Sequence, residues 1–432
     1  MHDSTDHHNS TNDAVADLYL LVEVARQLGE TFDLDSLLKS IEQAGCMALR
    51  CERANVYLYD AHHDELHSKI IANDGRIEEI RFSATRGIVG DSVKTPSVIL
   101  ALDAYADPRF NPDVDRITGF RTRNSLTLPL VVPGGEVVGA LQVLNKIDGQ
   151  FNDHDQLLAS ALGSLAGVAI KRQRLFDEAE AKHQLERELD IAHDVQQRLL
   201  PTNVPQVSGY DIAGWSLPTG QTGGDLYDYF SLVDGRVAIM IADATGHGIG
   251  PALIVSQCRS VLRAIANEQA TPAQLIRRLN ALLCDDLPCD RFVTLCLCIL
   301  NSCEHRIDYV SGGHGPQWHI EGATGQVRPY DATCVPLGIL KELEMDAIEP
   351  VFMAPGDLFV MITDGFLEWM NPADERYGRD RLIKLLQQHR DRDESCTELI
   401  QRLYQDVLAF SQGTPQKDDL TVVVIKRGRS SL

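Results

Sequence analysis

The stretch Val237-Ala238-Ile239-Met240-Ile241-Ala242-Asp243-Ala244-Thr245-Gly246-His247-Gly248 is an unbroken apolar run that ends on an aspartate and a glycine-rich turn. A strand without polar alternation is one covered on both faces, so the run reads as part of a buried sheet. Asp243 then emerges at the strand end, where glycines let backbone approach a ligand closely. Phe359-Val360-Met361-Ile362-Thr363 repeats the arrangement and delivers Asp364 ahead of Gly365. Two more acidic clusters flank the pair, Gly223-Gly224-Asp225-Leu226-Tyr227-Asp228 before the first run and Lys417-Asp418-Asp419 after the second. Each motif alone also reads as an ordinary turn, because Asp and Gly are leading turn residues. Together they point to chemistry. Carboxylates converging in a low dielectric repel one another unless cations neutralise them, and hard oxygen donors select Mg2+ or Mn2+ over zinc. The chemical inference is a hydrolase that uses two divalent ions.

Around these runs the second half of the chain alternates strand-like stretches, 292–300 and 420–425 among them, with helical spacing over 251–266, 272–283 and 381–410. In the first half a polar tail precedes Leu18, Leu21, Val22, Ala25 and Leu28 at helical spacing, and a second helix is expected over 34–49. Residues 55–59, 126–130 and 137–144 read as strands, with Pro133-Gly134-Gly135 as the turn between the last two. This describes a helix-flanked antiparallel sheet, closed by a helix that begins near Asp153. Beyond Ile170 the chain is charged to about Arg198, with Leu185, Leu189, Ala192, Gln196 and Leu199 at alternating four-and-three spacing. That pattern suits a connector paired with a second copy as a coiled coil, or a single helix packed on one domain; Lys182 and Gln196 are flaws in the seam. Pro201 and Pro205 end it.

A length of 432 residues leaves room for two or three folded units. Sixty-two acidic against forty basic residues give a net charge of -22, which repels phosphate backbones and anionic lipid, so no nucleic-acid partner is expected. No apolar stretch approaches the roughly 20 residues needed to cross a bilayer. The first residues, Met1 to Asn9, lack the apolar core of a signal peptide, so a cytoplasmic protein without a membrane partner is expected. None of the ten cysteines forms a Cys-x-x-Cys pair, and Cys296-x-Cys298 shares one strand face, which fits reduced, buried thiols.

From about residue 188 to 428 an ordered series of motifs resembles the SpoIIE/RsbU branch of the PPM metal-dependent serine/threonine phosphatases. It comprises Ala192-His193-Asp194-Val195-Gln196-Gln197-Arg198-Leu199-Leu200-Pro201, the Gly223 and Asp243 motifs, Ser311-Gly312-Gly313-His314-Gly315-Pro316, Pro336-Leu337-Gly338, Thr363-Asp364-Gly365-Phe366-Leu367-Glu368 and Lys417-Asp418-Asp419-Leu420-Thr421. The resemblance implies an αββα sandwich with a metal cleft at one end of its sheets. It implies two Mn2+ or Mg2+ ions, with Asp243 bridging both and Ala244 giving its carbonyl oxygen. Asp364 and Asp418 would complete the first site and Asp225 would hold the second, directly or through water; Asp419, beside Asp418, is the alternative ligand. Asp225, Asp243, Asp364 and Asp418 are thus the implied catalytic set around a metal-held water. The catalytic histidine of the eukaryotic members falls at Thr245 here, so His247 is not that acid. Protonation of the leaving group is expected from water or another residue, with slow turnover of small aryl phosphates. No arginine stands out as the family's phosphate binder; Arg291, next to a strand, is the one candidate, with a surface cation as its plainer reading. The implied substrate is a phosphoserine or phosphothreonine protein, typically an anti-sigma-factor antagonist. A non-catalytic signalling adaptor, or a metal-dependent phosphodiesterase using the same carboxylates, are the competing readings.

The first half resembles a GAF domain through Arg86-Gly87-Ile88-Val89-Gly90, Asp107-Pro108-Arg109-Phe110 and Val143-Leu144-Asn145-Lys146. Asn145, Lys146, Phe151 and Asp155 follow the Asn-Lys…Phe-x-x-x-Asp-Glu signature of cyclic-nucleotide phosphodiesterase GAF domains, except that Gln156 replaces the Glu. Such a signature supports a ligand pocket from outside. A cyclic nucleotide, another small ligand, or a purely structural role all fit. The expected organisation of this α+β chain is a disordered tail over 1–13, a GAF sensor over 14–172, a helical linker over 173–200 and the phosphatase domain over 201–428. The sensor would act on the enzyme through the linker, in a homodimer.

Overall fold

The computed structural model describes residues 6–31, 33–71, 77–267, 271–288, 290–346, 349–389 and 394–429, and the chain divides into two units, Met1–His183 and Gln184–Leu432. Of the tail expected over 1–13, residues 1–5 lie outside the described residues and the remainder belongs to helix α1 (Asp6–Gly29). Helix α2 (Leu34–Leu49) starts where the Asp33 carboxylate accepts from the Ser36 N–H at 2.8 Å, an N-cap.

The first unit is built on one antiparallel sheet of β1 (Cys51–Asp60), β2 (Glu65–Ile71), β3 (Ile77–Ser83), β4 (Ile99–Ala101), β5 (Ser125–Val131) and β6 (Val137–Lys146). The strands pair in the order β3-β2-β1-β6-β5-β4. One face packs Val56, Leu128, Leu141 and Val143 against Val24 and Leu28 of α1, Ile41 of α2, and Leu162 and Ile170 of the long helix α5 (Asp153–Leu199). Helices α3 (Gly87–Lys94) and α4 (Asp113–Thr118) cover the opposite face around Tyr57, Leu66 and Ala140. Residues 173–199 are therefore the C-terminal part of α5, and its last turns, from Gln184, belong to the second unit.

The second unit holds β7 (Tyr210–Leu217), β8 (Asp225–Ser231), β9 (Val237–Ala244), β10 (Val293–Asn301), β11 (Arg306–Gly312), β12 (Gln317–Ile320), β13 (Val327–Tyr330), β14 (Val351–Phe352), β15 (Leu358–Ile362) and β16 (Leu420–Arg427). They form two five-stranded antiparallel sheets, ordered β14-β11-β10-β9-β8 and β13-β12-β15-β16-β7. Alternate residues of β9 explain its sequence. Val237, Ile239 and Ile241 pack between the sheets with Cys298, Phe359, Met361 and Val423. Ala238, Met240 and Ala242 face outward against Val255 and Leu262 of α6 (Ile249–Ile265) and Leu279 of α7 (Pro272–Asp286). Helices α8 (Gly365–Glu368), α9 (Gly378–Gln388) and α10 (Cys396–Ser411) cover the outer face of the second sheet. Both faces of each sheet are thus buried, as the αββα arrangement requires.

The single helix expected over 381–410 is two. Glu398 donates its backbone N–H to Ser395 Oγ and accepts the Ser395 N–H, a capping box that starts α10 afresh. The Cys296 and Cys298 sulfurs lie 3.8 Å apart in the core, and all nine cysteines among the described residues are free. Among the described residues no helix is long and apolar enough to cross a membrane.

Candidate active site

Asp225 opens β8 directly opposite Asp243 near the end of β9, so both carboxylates stand on the face turned toward the second sheet. That sheet contributes at the same end. Beyond β15, Thr363 is followed by Asp364, and β16 begins immediately after Asp418 and Asp419. Thr363 ties the layers together, because its Oγ1 accepts the Thr421 N–H at 2.9 Å and donates to Asp225 Oδ2 at 2.8 Å. Four strand ends from two sheets thereby present acids to one cleft.

The acids are held in an uncomfortable state. Burial, then Asp243 and Asp419, pushes the Asp225 carboxyl well above the usual carboxylate range. Asp243 is pushed up to about 7 by burial and by Asp364, Asp418 and Asp419. Asp364 keeps much of its surface in solvent, yet its carboxyl lies among protein atoms and beside Glu368, and both effects raise it. Asp418 is raised by partial burial and by Asp364, Asp419 and Glu368.

Asp419 is used differently: its Oδ1 accepts the Thr219 N–H at 2.7 Å and its Oδ2 accepts the Asp225 N–H at 3.3 Å. The Ala244 carbonyl comes close to Gly224, where a Cβ would sit only 2.7 Å from it, so glycine is required before Asp225. Among the described residues no three acidic, histidine or cysteine side chains close into a ready-made metal shell. The donor set still fits hard divalent cations, being all oxygen and mutually repelling, a repulsion that a cation reverses.

The sequence reading missed the side chain that holds the Asp225 segment from α5. Gln196, taken as a flaw in a seam, is only 7% exposed and clasps Gly223 twice, donating to its carbonyl at 2.7 Å and accepting its N–H at 3.1 Å. His193 meets the Gln221 carbonyl, and Gln221 donates to Asp190 at 3.0 Å. This helix face is occupied by its own domain, so the Gln196 position is not a free coiled-coil seam. A polar residue recurring among apolar ones was the available signal. Asp228, immediately after Leu226-Tyr227, turns the other way and is fully buried between Arg263, at 2.5 and 2.8 Å, and Arg259, at 3.1 Å. His247 is exposed. His314 is buried, shares a 3.1 Å hydrogen bond with Thr294 across from Asp243, and is pushed down to about 4 by burial, so it is uncharged at neutral pH. Arg291 is more than a surface cation: its Nη1 donates to the Thr245 carbonyl at 2.6 Å.

Residues 233–428 match the family described as Stage II sporulation protein E (SpoIIE), and residues 33–170 match the GAF domain family. The chain joins a GAF domain to a SpoIIE-type phosphatase domain. The phosphoserine phosphatase RsbU of Bacillus subtilis (strain 168) is 28% identical over 246 residues, 57% of this chain and 72% of that protein. The phosphoserine phosphatase RsbP of the same organism is 28% identical over 210 residues, 48% of this chain and 49% of that protein. The solved SiaA-PP2C domain of Pseudomonas aeruginosa aligns at a TM-score of 0.50 and 20% identity, over 57% of this chain and 99% of that domain, which agrees with the sandwich fold.

In the GAF domain the signature residues form a staple at the end of β6. Lys146 pairs with Asp155 at 2.7 Å, with both side chains nearly buried, and donates to the Leu49 carbonyl at 3.0 Å. Asn145 accepts the Arg123 N–H at 2.6 Å and donates to Glu52 and to the Arg121 carbonyl. The Lys146 ammonium lies 5.7 Å from the Phe151 ring centroid. None of the four borders the cavity on the far face of the GAF sheet, which is about 40 Å3 and lined by Asn55, Tyr57, Ile88, Phe110, Asp115 and Gln142 among others.

Proposed function

We propose that the chain is a Mn2+- or Mg2+-dependent phosphoserine/phosphothreonine protein phosphatase under the control of its GAF domain. The observation that carries this reading is the gathering of Asp225, Asp243, Asp364 and Asp418 at one end of the sandwich with their carboxyls raised by burial and mutual repulsion. Asp243 lies nearest the middle of the set and is suited to bridge two ions, with the Ala244 carbonyl beside it. Asp364 and Asp418 suit the first ion and Asp225 the second. Asp418 is the better ligand than Asp419, whose two oxygens already accept backbone N–H groups. Two bound divalent ions would acidify water for in-line attack on phosphorus and neutralise the charge developing on the phosphoryl oxygens. Thr363 keeps Asp225 oriented for this, and Asp419 with Gln196 fixes the backbone that carries it.

The substrate is read as a phosphorylated cytoplasmic protein of the anti-sigma-factor antagonist kind, in line with the motif resemblance. A homodimer is supported by Val15, Leu18, Tyr19 and Val22, which line one exposed stripe of α1 at helical spacing, and by exposed Leu175 and Phe176 on α5. The GAF ligand is read as a small molecule. A cyclic nucleotide would need α3 or α4 to move, since a cavity of about 40 Å3 is far below nucleotide size; heat on titration with cyclic AMP or cyclic GMP tests it. The central test is manganese-dependent phosphate release from phosphoserine peptides and p-nitrophenyl phosphate by the full chain and by Asp243→Asn. Loss of release in the variant is expected, and equal rates would reject the site.

A further inference from the structure

The last turn of α2 and the start of β1 bring two cysteines together in the GAF domain, beside a cavity remote in sequence from the aspartates. Arg50, in the left-handed conformation at φ +45°, donates its N–H to the Cys46 carbonyl and turns the chain directly into β1. Its own carbonyl accepts the Ile147 N–H at 2.9 Å, and Cys51 pairs with Lys146 across the sheet, so the junction is pinned. Cys51 is 5% exposed, and its Sγ lies 3.3 Å from the Arg53 carbonyl and 3.9 Å from the carbonyl of Gly45, the residue before Cys46. Cys46 is half-buried, its thiol shares a hydrogen bond with that of Cys51, and it lines a cavity of about 410 Å3 with Glu42, Met47, Arg53, Asn55 and Lys69. The other adjoining pair, Cys296 and Cys298, is fully buried in the sandwich. The surroundings make the two thiols unequal. The hydrogen bond from Cys51, aided by the Ala54 N–H and by Arg53, lowers the Cys46 thiol against the opposing effects of burial and Glu42. The same hydrogen bond and burial push the Cys51 thiol up.

We infer that Cys46 and Cys51 are a peroxide-oxidised pair, Cys46 attacking the peroxide from the cavity and Cys51 resolving the product into a reversible disulfide. The Cys46 thiolate attacks one oxygen of hydrogen peroxide, the O–O bond breaks, and the leaving hydroxide takes a proton to become water. Cys46 is then a sulfenic acid. The Cys51 sulfur attacks the sulfenic sulfur, the S–O bond breaks, and the departing hydroxyl leaves with the Cys51 proton as a second water. Two thiols are oxidised by two electrons, and one peroxide is reduced. Glu42, pushed up to about 7 by burial, lines the same cavity and can supply the proton that the first hydroxide takes. Oxidation is selective where a low-pKa, accessible thiol stands next to a resolving one, and disulfides formed in reducing surroundings are of this transient kind. The bond ties α2 to the strand whose Asn55 and Tyr57 line the small cavity on the far face of the GAF sheet, so it acts on the GAF domain. The inference stands apart from the phosphatase reading.

The test treats the reduced full chain with hydrogen peroxide, quenches it by alkylation and digests it with trypsin, which cuts after Lys39, Arg50 and Arg53 and so separates the two cysteines. Peptides 40–50 and 51–53 should be recovered joined, and dithiothreitol should release them. Cys46 should be consumed about tenfold faster than the exposed Cys303, which serves as the reference thiol. Cys51→Ala should stop at the sulfenic acid, trapped on Cys46 by dimedone, and Cys46→Ala should leave Cys51 reduced at the same peroxide dose. Melting temperatures of the reduced variants show whether the GAF domain still folds, and where one does not, the wild-type peptide map decides. Oxidation of Cys46 no faster than that of Cys303 overturns the inference. So does recovery of peptide 40–50 free of 51–53, or linked to another cysteine.

Discussion

Asp243 sets stability against function at a single residue. Its carboxyl is raised to about 7 by burial and by three neighbouring aspartates, so ionising it in the absence of a cation strains the fold. Asp243→Asn removes one charge from the cluster. At pH 8 without divalent ions it should raise the melting temperature of the C-terminal unit, by about 2–4 °C for each kcal/mol relieved, while abolishing the further rise that manganese gives the wild type. Calorimetric scans with and without manganese decide this, and a lower melting point for the metal-free variant would contradict the repulsion. A further raised acid sits in the GAF domain. Burial pushes Glu42 up to about 7 from its ordinary 4.5, although it accepts the Val56 N–H at 3.2 Å. The folded state therefore holds a proton that the unfolded state has released between those values, so stability falls as pH rises through this window and stays lower above it. Glu42→Gln should flatten that dependence and stabilise the GAF domain at pH 8 by roughly 1–3 kcal/mol, read from urea unfolding at pH 5 and pH 8. At this scale the aspartates were legible because each sits in its own turn motif. The Gln196 clasp was not, because its partner lies 27 residues away in the chain.

Among the elements, the end of α5 bears most directly on the site, since it holds the loop that leads into β8. Gln196→Ala would leave the Gly223 N–H and carbonyl without partners in a buried place, at a cost of about 1–3 kcal/mol. The expected outcome is a roughly tenfold fall in kcat/KM with weaker manganese binding, as Asp225 loses its fixed backbone, and an unchanged GAF domain by hydrogen exchange. Wild-type manganese affinity in the variant would show that the clasp is merely local. The legibility of the elements follows burial. β9, β10, β15 and β16 are covered on both faces and read as continuous apolar runs. β3, at the edge of its sheet, breaks its alternation at Glu78-Glu79, and β7 is largely half-buried, so neither carried a clear pattern. The break between α9 and α10 was written in the Ser395 and Glu398 capping box, a signal that the surrounding charged residues obscured.

Over the whole molecule, α5 is one continuous helix shared by the two units, which gives the GAF domain a covalent route to the segment that holds Asp225. A chain shortened to residues 184–432 should keep manganese-dependent hydrolysis but lose any response to a GAF ligand, as followed by phosphate release with and without that ligand. Identical behaviour of the short and full chains under every ligand would remove the coupling. The net charge of -22 is in keeping with this picture, because part of it is the acid cluster itself. By itself the sequence determined the two domain types, the layering of strand and helix, and the set of acids, since double burial, helical spacing and turn chemistry are local properties written within a few residues. Only the tertiary structure decided that these acids share one cleft, that Asp419 serves the backbone while Asp418 faces the cluster, and that Thr363 and Gln196 hold the segment carrying Asp225. The reason is register: two antiparallel sheets must stack before residues as distant as Asp225 and Asp419, 194 positions apart, can meet.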